Sequence, residues 1–230
     1  MNPKLLCCRA NIILLLAFFD FLSSAAYAQL NLKTGYSFSI LSNPGLDQVI
    51  SDFNQSQSYS SSISNLRWLQ GFEVGLRYKA GIHALELTYQ DVYNSLTAIG
   101  QTAGTGVAYK DKLKFSVQSA AIGYQLGDGL IALGTDVQYQ WYFAKYLPGI
   151  TTDKFRNVQE MIGFKFYLML TLEGNQGIDM AVQPYMVLPT KYYDLNPLAQ
   201  ALGTEETLGQ DKWIRFGITL MFYNGPVNKD

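Results

Sequence analysis

Eight stretches of the chain alternate apolar and polar side chains with a period of two, separated in turn by short and long connections. Such alternation marks a β-strand with two unlike faces. The first stretch spans 30–41, with Leu30, Leu32, Tyr36, Phe38 and Ile40 on one face and Asn31, Lys33, Gly35, Ser37 and Ser39 on the other. The second, 66–79, sets Trp68, Phe72, Val74, Leu76 and Tyr78 against Gly71, Glu73, Gly75 and Arg77. In the third, Leu85, Leu87 and Tyr89 oppose Ala84, Glu86, Thr88 and Gln90. The fourth, 112–126, begins with Leu113, Phe115 and Val117 on the apolar face. Its parity changes at Ala120 and Ala121, which predicts a β-bulge there. The fifth sets Ile131, Leu133, Val137, Tyr139, Trp141 and Phe143 against Gly134, Asp136, Gln138 and Gln140. The sixth sets Ile162, Phe164, Phe166, Leu168 and Leu170 against Gly163, Lys165, Tyr167 and Thr171. The seventh, 178–188, is weakened by Pro184, which cannot donate to a ladder. The eighth, 212–223, sets Ile214, Phe216, Ile218, Leu220 and Phe222 against Arg215, Gly217, Thr219 and Met221.

The short connections fall at Ala80-Gly81, 127–129 and 174–177, and the long ones at 42–65, 94–111, 145–157 and 189–211. A two-residue turn at Ala80-Gly81 would place Gly75 opposite Glu86 and Arg77 opposite Ala84. Turns on one rim and loops on the other give the expected fold: an all-β, eight-stranded antiparallel up-and-down transmembrane β-barrel with short periplasmic turns and long extracellular loops. Trp68, Tyr89, Tyr139, Trp141 and Trp213 are expected to form the aromatic girdle at the loop rim, and Tyr78, Tyr124 and Phe222 the one at the turn rim. A soluble barrel with an apolar pocket would show the same alternation turned inside out. The bulk of the apolar face on all eight strands and the six glycines on the other face argue against it.

A leader precedes the strands. Lys4 and Arg9, an apolar run over 12–22 and Ala26-Tyr27-Ala28 have the three parts of a secretory signal, with cleavage expected between Ala28 and Gln29. The expected organisation is a cleaved signal at 1–28, one barrel domain at 29–223 and a short tail at 224–230. Cys7 and Cys8 would leave with the leader, so the mature chain has no thiol for a disulfide, a nucleophile or a metal site. Its net charge becomes −2 without histidine, which offers nothing to a nucleic acid. A mean hydropathy near zero, +0.02, suits a barrel whose two faces cancel.

The pattern resembles the small eight-stranded outer-membrane barrels, the group of the OmpA membrane domain, OmpX-like proteins and the porin-family β-barrel proteins of Bacteroidota. Arg215, Gly217, Leu220 and Phe222 match in order the C-terminal assembly signal such barrels carry, polar-x-Gly-x-x-apolar-x-aromatic. That resemblance implies a cell outer-membrane location, a lipid bilayer as surroundings and the barrel-assembly machinery as a partner during insertion. It implies a non-enzymatic protein whose loops bind or shield, with a barrel subunit of a larger envelope or secretion complex as the alternative.

Parity sends Lys33, Glu73, Arg77, Glu86, Asp136, Lys165 and Arg215 into the lumen, four cations against three anions. Eight strands leave an interior that side chains just fill, so these charges are expected to pair and plug it. Asp136 with Lys165, and Arg77 with Glu86, are the expected pairs. The sole histidine, His83, lies beside the first turn with lipid-facing parity, far from any serine and carboxylate that could complete a triad. No catalytic residue, metal site or cofactor is expected. In the 42–65 loop, Leu46, Val49, Ile50 and Phe53 recur with helical spacing after Asn43-Pro44. This predicts a short amphipathic helix that either packs on the barrel's own rim or meets a protein partner.

Overall fold

The computed structural model describes residues 29–57, 59–102, 106–128, 130–151, 154–172, 178–204 and 210–224. The expected signal, including Ala28, lies outside the described residues, as do the 174–177 turn and the tail beyond Asn224; Gln29 opens the first strand. In chain order the elements are β1 (Gln29–Ser42), α1 (Pro44–Ser56), β2 (Tyr59–Ser61), β3 (Trp68–Ala80), β4 (His83–Gln101), β5 (Ala108–Asp128) and β6 (Ile131–Leu147). They continue with β7 (Phe155–Leu172), β8 (Ile178–Pro189), β9 (Tyr193–Asp194), α2 (Asn196–Leu202), β10 (Gln210–Asp211) and β11 (Ile214–Asn224).

Eight of these strands close on themselves in the order β1, β3, β4, β5, β6, β7, β8, β11. Every neighbouring pair is antiparallel, and β1 seals against β11 from Lys33↔Tyr223 to Ser42↔Ile214. Closure removes the free sheet edges that lipid could not solvate. The outward positions then form a continuous apolar belt: Leu30, Leu76, Leu87, Ile122, Leu133, Phe166 and Phe216 are all exposed. Aliphatic and aromatic side chains left bare around an entire barrel are a lipid-facing surface, which disposes of the inside-out soluble alternative. Along β6 the belt runs from Ile131 to Trp141, eleven residues, a span of about 25 Å once strand tilt is allowed for.

The strands do not stop where the belt stops. The 94–111 and 145–157 segments, expected as loops, are largely strand: β4 and β5 pair without interruption up to Gln101↔Ala108, and β6 and β7 up to Tyr146↔Phe155. Beyond the belt the two faces exchange character. The outer wall becomes polar, with Lys112, Lys114 and Lys145 exposed, and the inner wall becomes apolar, with Val92, Leu113, Phe115 and Val117 buried.

That exchange explains the apparent slip in β5. Its register with β4 and with β6 is continuous through Ala120 and Ala121, so there is no bulge. Leu113, Phe115 and Val117 point inward, not outward, and the side-chain parity never changes. A second correction concerns the first hairpin. Its turn is Gly81-Ile82, with Gly81 at φ 60°, and Ala80 pairs with His83, so Arg77 faces Glu86 and Gly75 faces Thr88. The shift is two residues, so every side chain keeps its face. Pro184 is accommodated within β8, where the ladder to β7 skips Leu168–Pro184 while the ladder to β11 retains Ile218↔Pro184.

The apolar upper lumen is filled by the loops folding back into it. Helix α1 buries Leu46, Val49, Ile50 and Phe53, each 3% exposed or less, among Leu66, Leu69, Leu96 and Phe115. Helix α2 adds Leu198, Ala199 and Leu202. Trp213 belongs to this core rather than to the loop-side girdle. It is buried, stacks on Tyr193 at 4.5 Å and meets Tyr142 and Phe115 edge-on. Pro44 sits in the first turn of α1, and the carboxylate of Asp211 accepts the N–H groups of Gly45 (3.0 Å) and Leu46 (3.2 Å), two donors the helix leaves unpaired. Burial raises the Asp211 carboxyl above its ordinary range, while those N–H groups pull it back.

Two outcomes follow. Ile50→Ala with Phe53→Ala removes side chains whose burial typically stabilises by about 2–5 kcal/mol each. Limited proteolysis should then cut within 43–65 while the barrel keeps its heat-dependent shift on SDS gels. Asp211→Ala should produce the same cleavage more weakly, as a lost cap of about 1 kcal/mol would.

Candidate functional site

Inside the belt, the lumen is closed by a cluster of buried charges. Lys33, on β1, reaches Glu86 Oε2 at 2.6 Å and Glu73 Oε1 at 3.3 Å; Lys165, on β7, reaches Glu73 Oε2 at 3.0 Å. Arg77 approaches Glu86 Oε1 at 3.6 Å and donates two shorter bonds to Gln125 Oε1, at 2.8 and 2.6 Å. All five ionic groups are 3% exposed or less. Glutamines and hydroxyls complete the cluster: Gln90 donates to Glu73 and Ser37, Gln183 accepts from Lys165, and Tyr167 donates to Glu86. The rings of Tyr185 and Tyr167 lie 4.8 and 5.5 Å from the Lys165 ammonium.

The β-sheet positions these groups with little freedom. Lys33 and Asp136 each extend over a glycine on a neighbouring strand. A Cβ at Gly75 would lie 2.8 Å from Lys33 Cε, and one at Gly123 would lie 2.0 Å from Asp136 Oδ1. Glycines are therefore the volume that lets long side chains cross an eight-stranded lumen. Gly217 gives room to Tyr185 and Gly134 to Tyr167 in the same way.

All seven residues assigned to the lumen by parity are buried; Arg77 meets Glu86 as expected, but Asp136 and Lys165 do not pair. Asp136 and Lys165 are register partners, yet the Lys165 ammonium turns to Glu73 and Gln183. Neither oxygen of Asp136 accepts a hydrogen bond among the described residues. Register fixes where Cα atoms lie; a lysine stem is long enough to choose a better acceptor across the lumen. Arg215 is fully buried above the cluster, between Leu41 and Val187, with no acid paired to it among the described residues. The remaining residues of the terminal motif are divided by the wall: Gly217 faces inward against Tyr185, and Leu220 and Phe222 face lipid. His83 is half-buried at the turn rim, its Nδ1 against the Tyr124 hydroxyl.

Sequence reasoning missed the extracellular cap. There Asp111, at the start of the upper wall, accepts the hydroxyls of Tyr59 and Tyr146 and the N–H of Gly149. Burial first, then the Asp111 charge, raises both phenols, which stay protonated donors. Beside them a crevice of about 580 Å³ opens outward, lined by Phe53, Tyr109, Tyr146, Lys154 and Phe155 among others. The parity of Asp111 with Leu113 and Phe115 was the available signal, hidden by assigning that segment to a loop.

Glu73 bridges two lysines, whereas Asp136 bonds to none, so the two acids should differ when neutralised. Glu73→Gln is expected to cost about 3–5 kcal/mol by leaving buried ammonium groups uncompensated. Asp136→Asn should cost much less. Urea unfolding midpoints of the two variants in one detergent measure the difference, and equal losses would refute this arrangement.

No protein-family model and no curated protein sequence matches the chain. Among solved structures it is similar to Ail, the attachment invasion locus protein of Yersinia pestis, in complex with the heparin analogue sucrose octasulfate. The TM-score is 0.50 at 9% identity, covering 85% of this chain and 98% of that one. It is also similar to Neisserial surface protein A, with a TM-score of 0.44 at 9% identity over 86% of this chain and 98% of the other. Both are small eight-stranded outer-membrane barrels. The chain thus has the fold of an outer-membrane β-barrel, all-β, antiparallel and closed, with the lipid-facing belt that such a barrel carries.

Proposed function

We propose that this chain is a non-enzymatic, non-conducting outer-membrane platform, whose work is done by the cap that it holds above the lipid. The observation that carries this reading is the double filling of the lumen. Lys33, Glu73, Glu86 and Lys165 bond across the membrane level, and α1 and α2 pack apolar side chains over them. An ion entering from outside would have to cross an apolar core and then displace paired charges. Both steps are costly.

Catalysis has little to draw on in the same structure. Glu73 and Glu86 are bonded to lysines, all three acids of the lumen are buried away from any substrate, and His83 is at the opposite rim from the cap. What remains accessible is the cap, with its tyrosine-lined crevice. A binding or shielding role suits a surface held rigid by strands that rise past the membrane. The apolar face of α1 is packed inside the barrel, so a protein partner at the 42–65 loop would meet the exposed side of that helix, including Ser51, Gln55 and Ser56.

Planar-bilayer recordings test closure. Reconstituted protein should give no unitary current steps in molar salt. A variant lacking 44–56 should also stay silent, because the ionic layer below is intact. Regular steps from the wild-type protein would overturn the platform reading.

A further inference from the structure

The outer wall above the lipid belt carries cations arranged against one another. Lys114 on β5 lies directly opposite Lys145 on β6, and Lys145 lies directly opposite Arg156 on β7. Lys112 is on the same face, one outward position further up β5. All four are exposed, and none is in an ion pair among the described residues. Like charges at directly opposed strand positions destabilise a sheet, so a row of three calls for a counter-charge from outside the chain.

Their height is informative. Trp141 closes the main belt on β6 and Phe143 is the last outward apolar residue, so Lys145, two residues beyond Phe143, lies about 7 Å further along the strand and about 5 Å higher once tilt is allowed for. That is the headgroup zone of the bilayer. Between belt and lysines runs a groove. The outward residues of β5 there are Ser116, Gln118 and Ala120; aromatic side chains flank the two small ones on both neighbouring strands, and Gln118 lies between them against Asp91. Tyr93 and Phe143 stand either side of Ser116, and Tyr89 and Tyr139 either side of Ala120. The upper part is a cleft of about 360 Å³, lined by Asp91, Tyr93, Lys114, Ser116, Phe143 and Lys145 among others. Arg156 is held over the Phe143 ring at 5.6 Å. At the lower end Asp91 accepts Gln118 Nε2 at 3.2 Å through Oδ2, and its buried Oδ1 has no donor among the described residues.

We propose that this cleft binds a phosphate-bearing glycolipid of the outer leaflet. The phosphate sits on Lys114 and Lys145, a sugar hydroxyl or amide N–H donates to Asp91, and the first acyl segment descends between the aromatic walls into the belt. A cation row alone would suit any polyanion. The Tyr93 and Phe143 walls of the cleft, on the same outward face as the lipid belt, select an anion with a hydrocarbon tail. Asp91, four residues below the lysines along the strands, is too far to neutralise them and is placed to reject a second phosphate. This inference does not depend on whether the lumen conducts.

Native mass spectrometry of the detergent-purified barrel tests it, with a monophosphorylated, acylated glucosamine disaccharide as probe. Lys114→Gln with Lys145→Gln should lower retention about tenfold or more, on the scale expected for two lysines at a charged surface. Lys191→Gln with Lys212→Gln, on the far side of the barrel, should leave it unchanged. The dephosphorylated probe should bind wild-type protein no better than the intact probe binds the lysine variant. Ser116→Trp fills the groove with all cations in place, and should reduce retention of the glycolipid but not of a soluble polysulfated sugar. Equal retention by wild-type and lysine variants, both shown folded by heat modifiability, would overturn the site. A soluble polysulfated sugar binding wild-type protein as tightly as the glycolipid would overturn its assignment to lipid.

Discussion

Closure of the sheet between its first and last strands is the constraint from which the rest follows. Backbone groups within lipid must find partners in the chain, and an open sheet would leave two rows of them bare. Once β1 meets β11, strand number fixes the lumen at a width that side chains can just fill. Inward residues are then confined to a narrow cylinder, and their volumes must match around it. This is why glycine recurs beside the longest inward side chains, as at Gly75 beside Lys33 and Gly134 beside Tyr167. It is also why the buried charges bond across the barrel rather than along it.

The lumen solves its filling problem twice, with different chemistry at each level. In the membrane, where lipid surrounds the wall, the interior is polar and cross-linked by Lys33, Glu73, Glu86 and Lys165. Above it, where water surrounds the wall, the interior is apolar and sealed by helices. The upper barrel is therefore an ordinary water-soluble β-structure, apolar inside and polar outside, fused without a break to its inverse. The same strand β5 serves both, changing surroundings near Ala120 while its ladders run on.

This inversion also decides what the sequence could disclose. Within the belt, alternation puts the right residues on each face of the seven strands whose faces it assigns, because lipid and lumen differ sharply along a constant parity. At the belt's upper edge both environments change together, so the apolar residues jump to the other parity although the backbone does nothing unusual. A periodicity argument sees a bulge at Ala120 and a loop beyond Asn94, and it sends Leu113 and Trp213 to the wrong surroundings. The seven lumen charges were legible from parity. Of their partners, Arg77 with Glu86 was legible; the reach of Lys165 to Glu73 was not, since it is set by rotamers across the lumen and not by the register that places it beside Asp136. The cluster of Tyr59, Tyr146 and Asp111 joins three distant segments, and no local pattern encodes it.

The contact between Asp211 and the start of α1 has a temporal meaning. The helix follows the first barrel strand, and its acceptor precedes the last, so the two are separated by nearly the whole chain. In the closed barrel they meet because the strands that flank them, β1 and β11, are neighbours. The contact is thus a latch that is complete only on a finished barrel. An observer probing the surface from outside could read completed insertion from that latch alone.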